Sequence, residues 1–234
     1  MIRYISIAIL FLGHLLMAHH VIAAPRSVTL TYEATRNGQP FANITETYKE
    51  ENGNYRIESV TRGIGVYALF GERRLMSAGD VTPDGLRPLH FELHQGDNAK
   101  RSLYADFDWP ANVLNMKVKG KPVTASLEKG AQDISSLIYQ FMFVQPKGDT
   151  FKLPVTTGKK LKIYEYRIAA RAEPVAVPAG RYKTIHLQDA AAGADEDQKE
   201  LWLGAEAYYL PVKLVMRDDK GAVVEQVLTG LHAE

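Results

Sequence analysis

The 234-residue sequence contains no cysteine. No disulfide can therefore stabilise the fold, and neither a thiol nucleophile nor a thiolate metal site can form. A chain of this length does not need disulfides, because a single core of about 200 residues buries roughly 70% of the unfolded surface. The fold must rest on packing and hydrogen bonds.

The sequence also lacks an excess of charge of either sign, with 28 Lys and Arg residues against 27 Asp and Glu residues. A balanced chain offers no broad electrostatic surface for nucleic acid. It has no polybasic run that would anchor it to anionic lipid. The charge pattern therefore argues against nucleic acid as a partner.

Recognisable catalytic motifs are missing as well. There is no G-x-S-x-G elbow, no P-loop and no G-x-G-x-x-G that opens a helix, and Gly63-Ile64-Gly65 lacks the third glycine. Three of the seven histidines fall within the first 23 residues, which leaves His90, His94, His186 and His232. The sequence predicts no catalytic residue, no metal ligand and no cofactor.

Residues 1–23 have the pattern of a cleavable secretory signal peptide. Arg3 precedes a largely apolar run, Ile5 to Met17. That run is too short for a transmembrane helix of about 20 residues but suits the apolar region of an export signal. Val21 and Ala23 predict cleavage after Ala23, and an uncleaved anchor is the alternative. We expect a periplasmic mature domain, residues 24–234, without a membrane span.

The mature chain is dominated by short alternating runs. Val28, Leu30, Tyr32 and Ala34 alternate with polar residues, which indicates a half-buried strand. Asn-Gly turns separate the first three runs and predict a meander. Similar runs separated by turn residues continue to Leu228, and no linker divides them. We predict one all-β to α+β domain, with a curved antiparallel sheet or open barrel of about 12–13 strands.

One amphipathic helix is predicted over residues 134–144. Apolar residues recur there with helical spacing, after an N-cap at Asp133, at Ile134, Leu137, Ile138, Phe141 and Met142. The apolar stripe of this helix should pack on the sheet or plug the mouth of a barrel.

Two groups of polar residues could support chemistry. His90, Glu92 and His94 share one face of a predicted strand and include zinc-binding types. Residues four apart on a flat strand are about 14 Å apart, so a solvated polar face is favoured over a metal site. Asp106 and Asp108 could act as an acid/base pair, but aspartates are also common turn residues. A hydrolase that uses His90 or Asp108 remains an alternative function.

The apolar residues are more informative than the polar ones. The segment Val66 to Phe70, flanked by glycines, is too apolar for an ordinary exposed loop. Core filling is the common fate of such residues, but they could also line a cavity. We predict non-enzymatic binding or carriage of a lipid-like or apolar ligand or an envelope component, and an envelope assembly or scaffold protein is a further alternative. The candidate ligand contacts are Tyr67, Leu69, Phe70, Leu137, Phe141 and Trp202.

Several short segments, taken in order, resemble an uncharacterised bacterial family, domain of unknown function 3108. They are Ser77-Ala78-Gly79 with Gly85-Leu86-Arg87-Pro88, Phe107-Asp108-Trp109, Asp133-Ile134-Ser135-Ser136-Leu137, Pro178-Ala179-Gly180-Arg181-Tyr182 with Leu187, Glu200-Leu201-Trp202-Leu203, Leu210-Pro211-Val212, and Gly221 before Glu225-Gln226. The resemblance covers nearly the whole mature chain and implies an exported envelope protein, with no catalytic residues to assign. Its fold is expected to be similar to the curved sheet and helix plug of periplasmic lipoprotein carriers, which would imply an apolar ligand.

Overall fold

The structure, a computed structural model, describes residues 24–96, 101–190 and 197–234. The predicted signal peptide lies outside the described residues. The strands are β1 (Ser27–Arg36), β2 (Gln39–Glu51), β3 (Asn54–Gly63), β4 (Arg73–Thr82), β5 (Gly85–Gln95), β6 (Leu103–Asp108), β7 (Val113–Val118), β8 (Lys121–Ser126), β9 (Gln132–Asp133), β10 (Thr150–Thr156), β11 (Leu161–Val177), β12 (Gly180–Asp189), β13 (Gln198–Gly204), β14 (Pro211–Arg217) and β15 (Val223–Ala233). The α-helix α1 is Ser136–Gln140, and 3-10 helices span Gly65–Phe70 and Ala205–Ala207.

All fifteen strands belong to one open, curved sheet. Their order is β8-β7-β6-β5-β4-β3-β2-β1-β15-β14-β13-β12-β11-β10-β9. The chain therefore forms two meanders that meet where β1 pairs with β15, with Val28 opposite Ala233. Neighbouring strands are antiparallel except for β9 and β10, which are parallel. The predicted fold class is confirmed.

Two strands, β9 and β10, have no counterpart in the sequence prediction. The first contains only two residues, too few to show a period. The second contains Pro154, which argues against a strand because proline cannot donate a ladder hydrogen bond. By contrast, the alternation predicted for β1 is observed, since Val28, Leu30, Tyr32 and Ala34 are all buried.

The predicted helix over residues 134–144 is too long, because the α-helix covers only Ser136–Gln140. The following residues form turns with i to i+3 hydrogen bonds, such as Phe143 N to Gln140 O at 3.0 Å. A helix this short depends on tertiary packing for its stability. Here the aromatic residues of the segment pack against two different strands, β2 and β10. Tyr139 stacks on Tyr48, whereas Phe141 packs against Phe151.

A buried carboxylate fixes the start of this segment to β4. Asp133 Oδ2 accepts a hydrogen bond from Ser77 Oγ at 2.6 Å. Asp133 Oδ1 accepts from the backbone N–H groups of Ser135 and Ser136 at 2.8 and 2.9 Å, but the N-cap of α1 is Ser135 and not Asp133 as predicted. Burial raises the pKa of Asp133, although these hydrogen bonds act to lower it. The carboxyl group thus joins the sheet to the first turn of α1.

Two glutamine side chains hold the same segment against β5. Gln132 Nε2 donates to Leu86 O at 2.9 Å. Gln140 Oε1 accepts from Leu86 N at 2.6 Å, and its Nε2 donates to Asp84 O at 2.9 Å. The turn residue Gly85 has φ +95°, and a Cβ there would lie 2.4 Å from Gln140 Oε1. Glycine is therefore required at this contact. Together these bonds keep α1 against the inner face of the curled sheet.

Replacement of Asp133 by alanine should destabilise the protein strongly. Asp133→Ala leaves the Ser77 hydroxyl and two buried N–H groups without their acceptor, and each such loss costs about 1–3 kcal/mol. We expect a clear decrease in the urea midpoint of unfolding. Asp108→Ala is the control, since the Asp108 carboxylate accepts only an exposed turn N–H, from Ala111. Equal midpoints for the two variants would contradict this role of Asp133.

Candidate functional site

A cavity of about 550 Å³ lies between α1 and the inner face of the sheet. Side chains from both meanders and from α1 line it, including Ile57, Leu137, Tyr166 and Leu201. The volume is within the range of small-molecule binding sites, about 300–1,000 Å³.

The register of the strands explains one wall of the cavity. Glu46 lies opposite Ser59, Ser59 opposite Leu75, and Leu75 opposite Leu93. Residues directly opposite each other in antiparallel strands project from the same face. All four therefore line the cavity in one row across β2 to β5. The row is polar at its β2 end and apolar at its β5 end.

A charged pair faces the cavity within this wall. Glu46 Oε1 accepts a hydrogen bond from Ser59 Oγ at 3.1 Å. Burial raises the pKa of Glu46, while Ser59, Tyr139 and the charge of Arg73 act to lower it. Burial likewise lowers the pKa of Arg73, and Glu46 opposes that change. Arg73 and Glu46 interact electrostatically, but they form no ion pair at contact distance within the described ranges.

The Tyr139 hydroxyl completes this polar group. Tyr139 is 1% exposed, lines the cavity and stacks on Tyr48 with 5.4 Å between ring centroids. The hydroxyl is near enough to Glu46 for the two groups to influence each other's pKa, yet it makes no hydrogen bond of ordinary geometry in the described part of the chain. An unsatisfied buried hydroxyl is unfavourable.

An exposed apolar segment, the 3-10 helix Gly65–Phe70, lies between the end of β3 and the start of β4 at Arg73. Thr61 and Arg73 are paired, both line the cavity, and the 3-10 helix Gly65–Phe70 connects their strands. Leu69 is 88% exposed and Phe70 60% exposed. A Cβ on Gly63 would lie 2.3 Å from Tyr67 O, so this return of the chain requires glycine.

The six predicted ligand contacts fall into three places. Leu137 lines the cavity. Phe141 is buried beside Phe151, and Trp202 is buried against His186 with 4.1 Å between ring centroids, so neither lies in the cavity lining. The other three are on the 3-10 helix at the strand ends and also lie outside the lining: Tyr67, Leu69 and Phe70.

The sequence prediction missed the polar residues of the cavity. A signal was present, because Glu46 occupies the inward register of β2 between Ile44 and Tyr48, both buried. A charged residue at such a position is unusual in a strand that faces a core. No sequence pattern links it to Arg73 or Tyr139.

His90, Glu92 and His94 project from one strand face, as predicted, but away from the cavity. His90 contacts Asp106 through Nδ1 at 2.6 Å, and Glu92 bridges the two histidines. Burial acts to lower the pKa of His90, but the bonds and charges of Asp106 and Glu92 raise it overall. Across the described ranges, no group of three or more potential ligands is arranged to hold a metal ion.

This polar row continues to Ser102, which was not predicted. Ser102 Oγ lies 3.0 Å from His94 Nδ1, and His94 Nε2 lies 2.6 Å from Glu92 Oε2. Asp108 is separate from the row, since its carboxylate accepts the turn N–H of Ala111 at 3.0 Å.

The comparisons with known proteins give a family but no activity. None of the helices in the described residues is long and apolar enough to cross a membrane. No curated protein matches the chain. Among solved structures, the chain is similar to a putative outer membrane lipoprotein-sorting protein domain from Vibrio parahaemolyticus, with 8% identity, a TM-score of 0.27 and coverage of 89% of this chain and 85% of that one. The family model described as "Protein of unknown function (DUF3108)" matches residues 28–229, in agreement with the resemblance of the short segments, and the chain belongs to that family.

Proposed function

We propose that this protein binds a lipid-like or otherwise apolar ligand, without catalysis, in the cavity between α1 and the sheet. The cavity volume of about 550 Å³ is the observation that carries the proposal. Ligand sites are typically clefts of this size that are lined mainly by apolar side chains with a few polar groups. The lining here has that composition, with Ile57, Leu137 and Leu201 beside the polar group of Glu46 and Arg73.

The position of the cavity supports ligand binding over a defect of packing. Its lining comes from inward positions of strands that pair regularly, such as Ile57, Leu75 and Leu201. The α1 segment that covers it is fixed by the Asp133 and Gln140 hydrogen bonds. A bound molecule would therefore meet a preformed site, which lowers the ordering cost of binding.

The predicted ligand contacts take different roles in this proposal. Leu137 would contact the ligand directly. Tyr67, Leu69 and Phe70 would contact a ligand that extends beyond the strand ends next to Arg73. Phe141 and Trp202 would reach it only after local rearrangement, because both are packed outside the lining.

We place this binding in the periplasm. The signal-peptide pattern of residues 1–23 supports that location. Carriage between envelope layers, or presentation of the ligand to an envelope protein, would follow from it.

A second candidate function is hydrolysis by the polar row on the outer face of β5, which consists of His90, Glu92 and His94 together with Ser102. The observation that favours it is the contact series from Ser102 through His94 to Glu92, the three residue types of a hydrolytic triad. His90 belongs to the same row through Glu92. The row lies on the opposite face of β5 from the cavity-lining Leu93.

Protein isolated from the periplasm should carry an apolar molecule. Native mass spectrometry under gentle conditions should show a mass above that of the mature chain, which organic extraction removes. Protein refolded from denaturant without lipid should lack the added mass. Periplasmic protein that is already ligand-free would argue strongly against carriage.

Filling the cavity should weaken binding. Leu137→Trp places a larger side chain in the lining, so the neutral probe N-phenyl-1-naphthylamine should bind several-fold more weakly by fluorescence titration. Leu89→Trp is the matched control, because Leu89 is 41% exposed and outside the lining. Equal loss in both variants would show that the probe binds elsewhere.

The wild-type protein should not hydrolyse p-nitrophenyl esters or p-nitrophenyl glycosides faster than its Ser102→Ala and His90→Ala variants. Rates are compared by the release of nitrophenol at several protein concentrations. Hydrolysis by the wild type that either substitution abolishes would instead establish the second candidate function.

A further inference from the structure

The polar group inside the cavity contains two donors that lack an acceptor of ordinary hydrogen-bond geometry among the described residues. Arg73 presents a guanidinium with five N–H donors and forms no hydrogen bond or contact ion pair with described residues. The Tyr139 hydroxyl, 1% exposed, interacts with Glu46 but forms no hydrogen bond of ordinary geometry in the described part of the chain. Both side chains line the cavity and both interact with Glu46. The two donors therefore belong to one polar patch.

Glu46 satisfies these donors only in part, because its hydrogen bond with the Tyr139 hydroxyl departs from ordinary geometry. One of its oxygens accepts the Ser59 hydroxyl, and its interaction with Arg73 acts beyond contact distance. Burial also raises the pKa of Glu46, and the charge of Arg73 opposes that change. An isolated charge in a low-dielectric space is unfavourable unless a counter-charge pairs with it.

Among the described residues, the lining carries an excess of basic residues. Arg101, Lys159 and Lys199 join Arg73, while the acidic residues are Glu46 and Asp197. Lys199 already donates to the Tyr164 hydroxyl at 3.2 Å, and Arg73 has no such contact. Arg73 is thus the cation in the described lining that is best placed to receive an anionic group.

We propose that the ligand of this cavity carries an oxyanion head group, a carboxylate or a phosphate, which accepts hydrogen bonds from Arg73 and the Tyr139 hydroxyl. The proposal rests on the proposed binding function and specifies its ligand class. The apolar tail would lie along the remaining lining, between Leu137 of α1 and Leu201 of β13. Arginine suits such a head group because its planar donors match the spacing of carboxylate and phosphate oxygens.

The experiment compares three ligands with the same tail: dodecanoate, monododecyl phosphate and dodecan-1-ol. Equilibrium dialysis of delipidated full-length mature protein measures each dissociation constant. We expect one or both anions to bind the wild type about tenfold or more tightly than the alcohol, the difference that a charge-assisted hydrogen bond provides. The two anionic arms distinguish a carboxylate from a phosphate.

Arg73→Gln should reduce the affinity for the preferred anion roughly tenfold and leave that for the alcohol nearly unchanged. Arg74→Gln is the matched control, since Arg74 is the next residue on the strand, points to the opposite face and pairs with Glu72 at 2.6 Å. Tyr139→Phe keeps the ring that stacks on Tyr48 and should weaken anion binding without lowering the urea midpoint. Arg73→Gln should also fold normally, because it removes a half-buried charge that has no contact ion pair among the described residues.

Three results would overturn the assignment of the head group. Equal affinity of the wild type for all three ligands would do so, and so would an equal loss of all three in Arg73→Gln. In both cases the protein still binds the tails, and the proposed function stands. If the wild type binds none of the three, the proposed function and the head-group assignment both fail.

Discussion

The fifteen strands in the described part of the chain form an open sheet, which keeps its curl because contacts other than strand pairing hold its β9 edge against strands in its other half. Here the hydrogen bonds of Gln132, Asp133 and Gln140 provide these contacts, because they tie the β9 end of the sheet to β4 and β5. These bonds are buried or partly buried, where water competes poorly with them. With no disulfide available, the closure of the molecule depends on them.

The same attachment creates the candidate site. The segment held by these bonds carries Leu137 and Tyr139, and it sits over the inner face without filling the space beneath it. The cavity therefore exists because these hydrogen bonds hold α1 over the curved sheet. Its polar patch draws on two adjacent inward rows, since the strand register places Glu46 opposite Ser59 and Arg73 opposite Thr61. Closure and binding chemistry are thus built from neighbouring residues.

The sequence predicted the features that depend on local pattern. The alternation of Val28, Leu30, Tyr32 and Ala34, together with the Asn-Gly turns, was sufficient to identify the meander and the fold class. It failed for β9, which exists only through its pairing with β10, and for the length of the helix, which tertiary packing limits. The family was also accessible from short segments in order.

Only part of the cavity lining could be predicted from the sequence. Leu137 could be proposed from its helical spacing, but Arg73 and Tyr139 are separated by more than sixty positions and meet through the curl of the sheet. A solitary inward charge such as Glu46 is a local clue, yet it does not reveal which residues face it across the space. For the apolar segment Val66 to Phe70, the sequence pattern did not indicate the observed solvent exposure. Leu69 and Phe70 looked too apolar for the surface and yet lie on it.

The pairing of β1 with β15 has a kinetic consequence. The central ladder of the sheet joins residues about 200 positions apart, as in Val28 with Ala233. Contacts between residues so far apart in sequence form late, because they contribute stability only after a large loop-closure entropy has been overcome. Each meander can assemble from local turns, but β1 has a free edge until β15 is available. The domain therefore acquires its final cooperativity only when nearly the entire chain is present, and a chain that lacks β15 keeps an unpaired edge on β1.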